Sequence, residues 1–385
     1  MRILTVLTYY RPHWTGLTKT AQLVAEGLAR RGHEVTVVAG RHTPGLPREE
    51  RLDEVNVVRV TSIGRVSRGL VMPGFAPTVL RLAAEHDVVH MHTPMLESWL
   101  VTALAGHRDR PVVITHQGDL VMPSGGFNGL IQRGVSASMD RAVRRAAAVT
   151  TLSDDYARHS SFLRPVLDKT EGIPPPARLP APNREAVAAW RAELGLTDAP
   201  VVGFAGRWVE EKGFDVLLEA LPRMLERRPN LRLVYAGDHR IPYERFFDRC
   251  APLVERHQDR ITFVGLLRDQ QRLADFYALG DVFAVPSRSD CFALVQAEAL
   301  MSNTPVVVSD IPGAREPIMR TGLGRLVPPE DPRALADALL AVLDEPKRYA
   351  GARDRVLAEY DPERALDAYE RVLARAVQNG QPGGA

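Results

Sequence analysis

The stretch PSRSDCFALVQAEALMSNTPVVVSD, from Pro286 to Asp310, combines a loop, a short helix and a strand. The run that leads into it, DVFAVPS from Asp281 to Ser287, and the run PVVVS near its end are apolar and rich in β-branched residues, as buried parallel strands are. Between them, residues 293–301 are rich in good helix formers. The stretch therefore predicts a β-loop-α-β unit of a parallel sheet.

This unit presents two acidic residues and a set of backbone amides at one edge of the sheet. Asp290 lies in the loop at the carboxyl end of the strand, where open α/β sheets bind ligands, and Glu298 follows on the helix. We expect free N–H groups at the helix start, on Phe292, Ala293 and Leu294, and these suit a ligand rich in hydroxyls, such as a sugar. The alternative is that Asp290 only caps the helix and Glu298 is a solvated surface residue; the local sequence favours neither.

The bulk composition is that of an ordinary globular protein of about two domains. The chain has 385 residues, of which 45% are hydrophobic and 25% charged. No apolar run approaches the ~20 residues needed to span a bilayer, and the first residues read as a buried strand, not a signal peptide. Cys250 and Cys291 lie far apart and outside any metal spacing, so we expect a cytoplasmic protein without disulfides.

Predicted strands and helices alternate through two halves of the chain, which favours parallel sheets with helices on both faces. The halves meet in a proline-rich connector, residues 171–187, for which we predict a stiff, extended conformation with the domain boundary near Pro176. A last helix is predicted to begin with Asp361 as its N-cap and Pro362 at its first position.

The segment VVGFAGRWVEEKGF, residues 201–214, suits a diphosphate. Arg207 and Lys212 follow a strand and precede a helix, and Gly206 and Gly213 allow tight turns beside them. The alternative is a pair of solvated surface cations. The segment is neither a Walker A loop nor GxGxxG, which disfavours ATP hydrolysis and hydride transfer. The sequence has no Asp-x-Asp triplet, so a metal-clamped diphosphate is disfavoured as well.

Four further residues in the first half follow predicted strands or lie within them. Gly16, in HWTGLTKT, permits close approach of the backbone to a ligand, although a generic turn is the alternative. His116 could donate to a phosphate or a sugar hydroxyl, or it could be a partly buried histidine satisfied by the backbone. His90 and His92 alternate along a strand and share a face, but no third metal ligand is visible, which favours packing.

Together these segments resemble the family 4 glycosyltransferases, which are retaining, metal-independent enzymes of the GT-B fold. The matching phrases include LARRGHEVTVV, FAGRWVEEKG, PSRSDCFALVQAEAL and TPVVVSDIPGAREPI, and the match covers nearly the whole chain. The resemblance implies an α/β fold of two Rossmann-like, doubly wound domains that face a deep cleft. Residues 1–176, joined by a returning C-terminal helix at about 361–378, would form the acceptor-side domain. Residues 177–360 would form the nucleotide-sugar-binding domain.

The resemblance also implies roles for single residues. Glu298 corresponds to the second acid of the family's Glu-x7-Glu motif and would hold the ribose hydroxyls, and Asp290 corresponds to the first acid, near the donor sugar. The implied catalytic residues are Arg207, Lys212, Asp290 and His116. The implied donor-binding residues are Gly16, Arg207, Lys212, Leu267, Asp290, Phe292, Ala293, Leu294 and Glu298. No metal site and no cofactor beyond the nucleotide diphosphate sugar are implied.

The sequence departs from the family pattern at three places. Asp290 replaces a glutamate and shortens the reach of the carboxylate by ~1.5 Å. The residues Cys291-Phe292-Ala293 replace Gly-Phe-Gly, and Ala293 would still donate its N–H with a negative φ. Thr15-Gly16 replaces the Gly-Gly of the N-terminal loop.

The resemblance implies transfer of a hexose, with retention and without a metal, from a UDP-sugar or GDP-mannose to a hydroxyl of a lipid, a glycan or a small molecule. Alternatives are a sugar-nucleotide epimerase of the same fold and a non-catalytic nucleotide-sugar-binding protein. No nucleic-acid partner is expected. Residues 1–170 hold 21 Lys/Arg against 15 Asp/Glu, and a predicted loop, 64–82, and a predicted basic amphipathic helix, 127–149, mix arginines with apolar residues. They suggest contact with an anionic membrane at its inner face; core packing with solvated arginines is the alternative, slightly favoured.

Overall fold

The computed structural model describes residues 1–66, 69–119, 126–241, 244–349 and 351–380, with the side chains of 126–128 left out of the description. The chain divides into two compact units. The first unit is Met1–Pro176 together with the chain from Pro362 onward, and the second unit is Ala177–Asp361.

The first unit contains, in chain order, β1 Arg2–Val6, α1 Gly16–Arg30, β2 Glu34–Arg41, β3 Glu49–Leu52, β4 Val55–Thr61, β5 Gly64–Val66, β6 Gly69–Val71, α2 Phe75–Glu85, β7 Val88–Thr93, α3 Ser98–Gly106, β8 Val112–His116, α4 Gly126–Arg145, β9 Ala148–Thr151, α5 Asp154–His159 and β10 Thr170–Gly172. The second unit contains α6 Arg184–Glu193, β11 Val201–Ala205, α7 Phe214–Arg227, β12 Arg232–Ala236, α8 Phe246–Arg256, β13 Ile261–Gly265, α9 Gln270–Leu279, β14 Val282–Val285, α10 Leu294–Met301, β15 Val306–Ser309, α11 Glu316–Thr321, β16 Gly324–Val327, α12 Pro332–Asp344 and α13 Ala352–Glu359. Helix α14, Pro362–Gly380, closes the described chain and belongs to the first unit.

The sheet of the first unit has the strand order β10-β9-β8-β7-β1-β2-β4-β3. Its pairs are parallel except for β3, which runs antiparallel to β4 at the edge. Every residue of β7 and β8 is buried, because helices cover both faces of a parallel sheet. Successive strands leave β1 in one direction and β7 in the other, so the order reverses between these two strands.

Helix α14 packs on the first unit, as the resemblance implied. Tyr369 of this helix is buried in the same core as residues of strand β1 and helix α1, and Leu366 is buried as well. Gly27 of α1 allows this close packing, because a Cβ there would lie 2.4 Å from the Cδ2 atom of Leu366. At the rim, Arg31 forms ion pairs of 2.6 Å and 2.7 Å with Glu363 and Asp367. The C-terminal helix therefore returns to the N-terminal half of the chain.

The sheet of the second unit is parallel throughout its described pairs, in the order β13-β12-β11-β14-β15-β16. Its core includes an apolar stripe along α7, in which Phe214, Leu217, Leu218 and Leu221 are wholly buried. The strand order reverses between β11 and β14. In open α/β sheets, ligands bind at the carboxyl ends of the strands beside such a reversal.

Three local predictions change in detail. The connector predicted to be extended over 171–187 has regular structure at both ends, since β10 includes Glu171 and Gly172 and α6 begins at Arg184. Helix α10 begins at Leu294, one residue later than predicted. The stretch 64–82 is not a single loop, because it forms the β5–β6 hairpin and much of α2.

Candidate active site

Two loops meet at the reversal point of the second sheet. The loop after β11 carries Arg207 and Lys212, and the loop after β14 carries Asp290. Because β11 and β14 are neighbouring parallel strands, their carboxyl ends lie at the same edge of the sheet. The structure therefore brings together the cations and the acid that the sequence placed almost eighty residues apart.

Glycines let the first of these loops pass close to the second. Gly206 has a φ of +137°, a conformation that side chains disfavour. Gly213 has a φ of +67° and ends the 3-10 turn Glu210–Lys212, directly before α7. A Cβ on Gly213 would lie 2.0 Å from the carbonyl oxygen of Pro286, so only glycine fits there. This approach sets Lys212 opposite the loop that holds Asp290.

Lys212 and Asp290 form an ion pair, with the Lys212 Nζ atom 2.5 Å from the Asp290 Oδ2 atom. The side chains keep 25% and 11% of their exposure, so solvent screens the pair weakly. Burial alone would lower the pKa of Lys212, but the charges of Asp290 and Glu211 outweigh burial and raise it. Arg207 contacts Glu211 at 3.2 Å. Both predicted diphosphate ligands are thus charged and already hold acidic partners.

The second oxygen of Asp290 faces the start of α10. The Ala293 N–H donates to the Asp290 Oδ1 atom over 2.9 Å, and the Phe292 nitrogen lies 3.5 Å from the same oxygen. The expectation of free amides is therefore wrong for Ala293, because its own loop carboxylate reaches it. The capping alternative for Asp290 is correct in this respect, and it coexists with the ion pair to Lys212.

Ala293 adopts a left-handed conformation, with φ +56° and ψ +73°. The negative φ that was a condition of the sequence prediction is therefore not met, although the Ala293 N–H does donate, to Asp290. The left-handed conformation costs an alanine ~1–2 kcal/mol, which the family's usual glycine avoids. It turns the chain into α10 at Leu294, and this explains why the helix begins one residue later than its composition predicts. The surrounding contacts hold the turn: Gln296 donates from its side-chain amide to the carbonyls of Phe292, over 2.5 Å, and of Ala314, over 2.8 Å.

Glu298 is buried, with 7% of its surface exposed. The Tyr277 hydroxyl, on the neighbouring helix α9, donates to the Glu298 Oε2 atom over 2.7 Å. Burial raises the pKa of Tyr277 well above its ordinary value, and the nearby Glu298 raises it further, so the phenol remains a donor. The alternative of a solvated surface glutamate is therefore wrong. A buried carboxylate that the Tyr277 hydroxyl holds in place suits an acceptor for ribose hydroxyls.

Leu267 lies two residues beyond the end of β13, at the same edge of the sheet, and is half-buried. The adjacent Leu266 keeps 42% of its surface exposed and Phe263, near the strand end, 38%. Exposed apolar side chains at a sheet edge provide a surface on which a nucleobase can pack.

The first unit holds the two remaining predicted residues. Gly16 is the first residue of α1, and nothing lies within 4 Å of the point where a Cβ would stand, so the backbone there is open to approach. His116 ends β8 and is wholly buried. Its Nε2 atom lies 2.9 Å from the Asp119 Oδ1 atom and its Nδ1 atom 3.0 Å from the Thr93 hydroxyl. Both ring nitrogens therefore form hydrogen bonds within this unit. This agrees with the alternative that His116 is a histidine with its hydrogen bonds already made, although its partners are side chains and not the backbone.

Asp119 is the accessible member of this pair. Its side chain keeps 37% of its exposure and accepts hydrogen bonds from the Ser160 hydroxyl as well. Burial would raise the pKa of Asp119, but the hydrogen bonds from His116 and its neighbours lower it. An ionised carboxylate therefore stands at the carboxyl end of β8.

The other residues considered from the sequence are structural. His90 donates to or accepts from the Thr115 hydroxyl over 2.7 Å, His92 contacts Gln117 over 2.9 Å, and burial lowers the pKa of His90 to about 4. Within the described ranges, no cluster of His, Cys, Asp or Glu could hold a metal ion. Cys291 is buried, and burial raises the pKa of its thiol far above the ordinary value. None of the helices in the described residues is both long and apolar enough to cross a membrane.

Sequence reasoning missed three residues that position the site. Tyr277 fixes Glu298, and Arg288 joins Asp215 through a bidentate pair with distances of 2.9 Å and 2.7 Å. Arg288 stands two positions before Asp290 and Asp215 three positions after Lys212, so their closeness to the motifs was a usable signal. Tyr277 gave no such signal, because its partner lies 21 residues away on another helix.

The fold and the site are those expected of a glycosyltransferase that uses a nucleotide sugar, since Arg207, Lys212 and Asp290 meet at the switch point of one parallel sheet, where such folds bind ligands. Two family models match: Glycosyl transferase 4-like domain over residues 15–176, and Glycosyl transferases group 1 over residues 199–345. The chain belongs to the family 4 glycosyltransferases. It transfers a sugar from a nucleotide sugar, and the expected enzyme class, a hexosyltransferase, is confirmed.

Similar proteins cover almost the whole chain. The D-inositol 3-phosphate glycosyltransferase of Kineococcus radiotolerans is 32% identical over 93% of this chain and 91% of its own. The GDP-mannose-dependent alpha-mannosyltransferase of Mycobacterium tuberculosis is 29% identical over 97% of this chain and 98% of its own. The crystal structure of Anabaena HepE in complex with UDP-glucose superimposes with a TM-score of 0.79 over 97% of this chain and 100% of its own, at 19% identity. The predicted GT-B fold of two Rossmann-like domains is confirmed.

Proposed function

We propose that this enzyme moves a hexose from a nucleotide diphosphate sugar to a hydroxyl group, with retention of anomeric configuration and without a bound metal. The observation that carries the proposal is the ion pair between Lys212 and Asp290 at the reversal point of the second sheet, with Arg207 on the same loop. In this proposal Lys212 binds the diphosphate leaving group and Asp290 binds the donor sugar. Their contact would place the leaving group next to the anomeric carbon that reacts.

In the proposed reaction, the bond between the anomeric carbon and the diphosphate oxygen breaks, and the acceptor oxygen bonds to the same face of that carbon. The sugar passes through an oxocarbenium-like state. The departing phosphate oxygen takes the proton of the acceptor hydroxyl, so no covalent intermediate and no separate base are needed. Negative charge grows on the leaving diphosphate, and Arg207 with Lys212 stabilises that charge by ~3–4 kcal/mol per well-placed donor.

The two cations support transfer without a metal, because they supply positive charge where a divalent ion would otherwise bridge the phosphates. A phosphate oxygen of the donor would compete with Asp290 for the ammonium of Lys212, and this competition would make the carboxylate of Asp290 available to a sugar hydroxyl. Hydroxyls of the donor sugar would compete with Asp290 for the N–H groups of Phe292 and Ala293. Donor binding therefore rearranges hydrogen bonds that the free enzyme already makes.

Two donor classes have support, a UDP-sugar and GDP-mannose. The relative from M. tuberculosis is named for GDP-mannose, and the similar Anabaena structure holds UDP-glucose. The proposed ribose anchor, Glu298 held by Tyr277, serves either donor because both carry the same ribose. The base would pack against the exposed Leu266 and the neighbouring Leu267.

For the acceptor we propose an amphiphilic or glycan hydroxyl compound reached at an anionic membrane surface, which would place the enzyme in the cytoplasm at the inner face of the membrane. Leu96, Trp99 and Leu100 expose 54%, 38% and 39% of their surfaces. They lie beside α4, because the Ser138 hydroxyl donates to the Leu96 carbonyl and accepts from the Trp99 N–H. Arg141, one turn along α4, is exposed. Apolar side chains beside arginines match the surface of an anionic bilayer.

Part of the sequence-based membrane hypothesis is not supported. Leu70, Met72 and Phe75 are buried, as are Val135 and Met139 of α4, so these apolar residues pack in the core as the alternative predicted. Arg68 and the side chain of Phe127 lie outside the described residues. Co-sedimentation with vesicles containing an anionic lipid tests the remaining surface. We expect binding at low salt that Leu96→Ser with Trp99→Ser removes; equal recovery of both proteins in the pellet would refute this surface.

A screen of thermal stability against UDP- and GDP-sugars tests the donor assignment. A donor present at 100 times its Kd stabilises the folded protein by about 2.7 kcal/mol, a readily measured shift. Release of free nucleotide diphosphate is then followed with and without an acceptor. Release that depends on the acceptor is the expected result, and NMR of the product reports whether the configuration is retained.

The same assays separate the two alternatives. A sugar-nucleotide epimerase would convert the donor without any dependence on an acceptor hydroxyl. A non-catalytic binding protein would bind the nucleotide sugar without turnover over a broad acceptor panel. Addition of a chelator tests metal independence, since a metal-dependent enzyme would lose turnover that added Mg²⁺ or Mn²⁺ restores.

A further inference from the structure

Arg288 ties together the two loops that carry the proposed donor site. Its guanidinium grips the Asp215 carboxylate through two bonds, Nη1 to Oδ1 at 2.9 Å and Nη2 to Oδ2 at 2.7 Å. Asp215 stands in the first turn of α7, directly after the loop of Lys212. Arg288 itself belongs to the loop after β14, two residues before Asp290. This bidentate pair therefore joins the loop after β14 to the start of α7, where the loop of Lys212 ends.

The same arginine also holds the backbone of the turn Glu210–Lys212. Its Nη1 atom donates to the Glu210 carbonyl over 2.8 Å, and its backbone N–H donates to the Glu211 carbonyl over 2.8 Å. The Nε atom donates to Glu330 over 2.9 Å. The hydrogen bonds that Arg288 donates to Asp215 and Glu330, together with the charges of these two acids, raise the pKa of Arg288 despite its burial, so the guanidinium stays charged. Lys212 ends this turn, and its backbone is thereby fixed from outside its own loop.

The connection matters because a second link between the loops, the ion pair of Lys212 with Asp290, involves the proposed diphosphate ligand itself. In the proposed reaction, a phosphate oxygen would compete with Asp290 for the ammonium of Lys212. Among the hydrogen bonds and ion pairs of the described residues, none joins Arg288 or Asp215 to the side chain of Lys212 or Asp290. The pair of Arg288 and Asp215 is able to stay closed while the ion pair exchanges, and a planar fork holds a fixed orientation that a flexible ammonium cannot.

Resting on the proposed function, we propose that Arg288 is a positioning residue that holds the turn of Lys212 in register with the loop of Asp290, so that Lys212 meets the donor diphosphate. Arg288 touches no substrate. A misplacement of a reacting or binding group by ~1 Å costs up to ~100-fold in rate. We expect Arg288→Gln to weaken donor binding about tenfold or more and to lower turnover at saturating donor by a similar factor.

The second unit offers a matched control. Arg223, also on α7, forms a bidentate pair with Asp337, at 2.6 Å and 3.0 Å, on the surface between α7 and α12. Arg223→Gln removes an equivalent pair without touching either loop. Calorimetry with the donor and with the free nucleotide diphosphate, together with kcat and KM, is run on both variants. Arg288→Lys keeps the charge but loses the planar guanidinium. We expect its donor affinity and its kcat to lie between those of the wild type and those of Arg288→Gln.

Hydrogen exchange gives a readout that needs no substrate. The N–H groups of Lys212 and Gly213 donate within the turn, to the carbonyls of Val209 and Glu210. We expect these amides to exchange several-fold faster in Arg288→Gln and at the wild-type rate in Arg223→Gln. Unchanged exchange with unchanged donor affinity in Arg288→Gln would overturn the proposal. A wild-type protein that bound no nucleotide sugar would instead refute the proposed function, and the exchange rates would still decide the role of Arg288.

Discussion

Replacement of Lys212 by alanine separates two roles of one ammonium group. In catalysis, loss of one well-placed donor to the leaving group costs ~3–4 kcal/mol, or roughly 10²- to 10³-fold in kcat. In folding, removal of one partner from a fully buried ion pair costs ~3–5 kcal/mol. The pair with Asp290 is only mostly buried, with 25% and 11% exposed, and the Ala293 N–H still serves the carboxylate. We therefore expect a stability loss of about 2 kcal/mol.

The assay measures kcat at saturating donor and the free energy of urea unfolding for the wild type and Lys212→Ala. Lys347 is an exposed lysine of the same unit, and Lys347→Ala is the control, with kcat and stability expected to stay unchanged. A stability loss combined with near-normal kcat would refute the reasoning, because it would leave Lys212 as a structural partner of Asp290 alone. Normal stability with a large loss of kcat would show that the ion pair adds nothing to folding.

Three further predictions concern stability. Ala293→Gly relieves a left-handed residue and, after the entropy cost of glycine, should raise the free energy of unfolding by ~0.5–1 kcal/mol in urea titration, whereas a decrease would mean that φ of +56° carries no strain. Tyr277→Phe removes the hydroxyl donor of buried Glu298 and should lower stability by ~1.5–3 kcal/mol by the same method; a loss below ~0.5 kcal/mol would contradict a charge-assisted bond. Burial lowers the pKa of His90 to about 4, so the unfolded chain binds the proton first and stability falls as pH drops below ~6.5. Between pH 7 and pH 5 His90 should cost the wild type ~2 kcal/mol, so the free energy of unfolding of His90→Gln should fall by about that much less, while His92, whose pKa burial also lowers, contributes to the decline in both proteins. The exposed His107→Gln should follow the wild type, and a decline in His90→Gln equal to that of the wild type would exclude His90 as a cause.

The alternation of strands and helices was readable from the sequence because each parallel strand is buried on both faces and so appears as a short apolar run. The position of the site was readable for a related reason. A ligand binds where strands end, and Arg207, Lys212 and Asp290 each follow a strand closely. The strand order itself was not readable. It is the pairing of β11 with β14 that brings these loops together, and that pairing depends on contacts about eighty residues apart.

The local geometry of the site escaped prediction for a different reason. Helix propensity placed Ala293 inside α10, but packing of the loop overrides that preference and holds the residue at a positive φ. The burial of Glu298 was equally hidden, since a glutamate on a helix is usually exposed and its phenol partner comes from α9. Propensity describes a residue by itself, whereas these conformations follow from what surrounds it.

The two oxygens of Asp290 have different partners. Its Oδ2 atom binds Lys212, a proposed ligand of the diphosphate, and its Oδ1 atom accepts a hydrogen bond from the Ala293 N–H, three residues on. A glutamate here would carry its carboxylate ~1.5 Å further from the backbone, beyond the short reach that closes this turn. The aspartate and the left-handed alanine, two of the departures from the family pattern in this loop, are therefore physically linked: the shorter acid supplies a hydrogen bond that helps hold the strained residue. The same carboxylate also restrains Lys212. If Lys212 moved to a diphosphate, the hydrogen bond between Asp290 and the Ala293 N–H would change, and donor binding would alter the conformation at the start of α10.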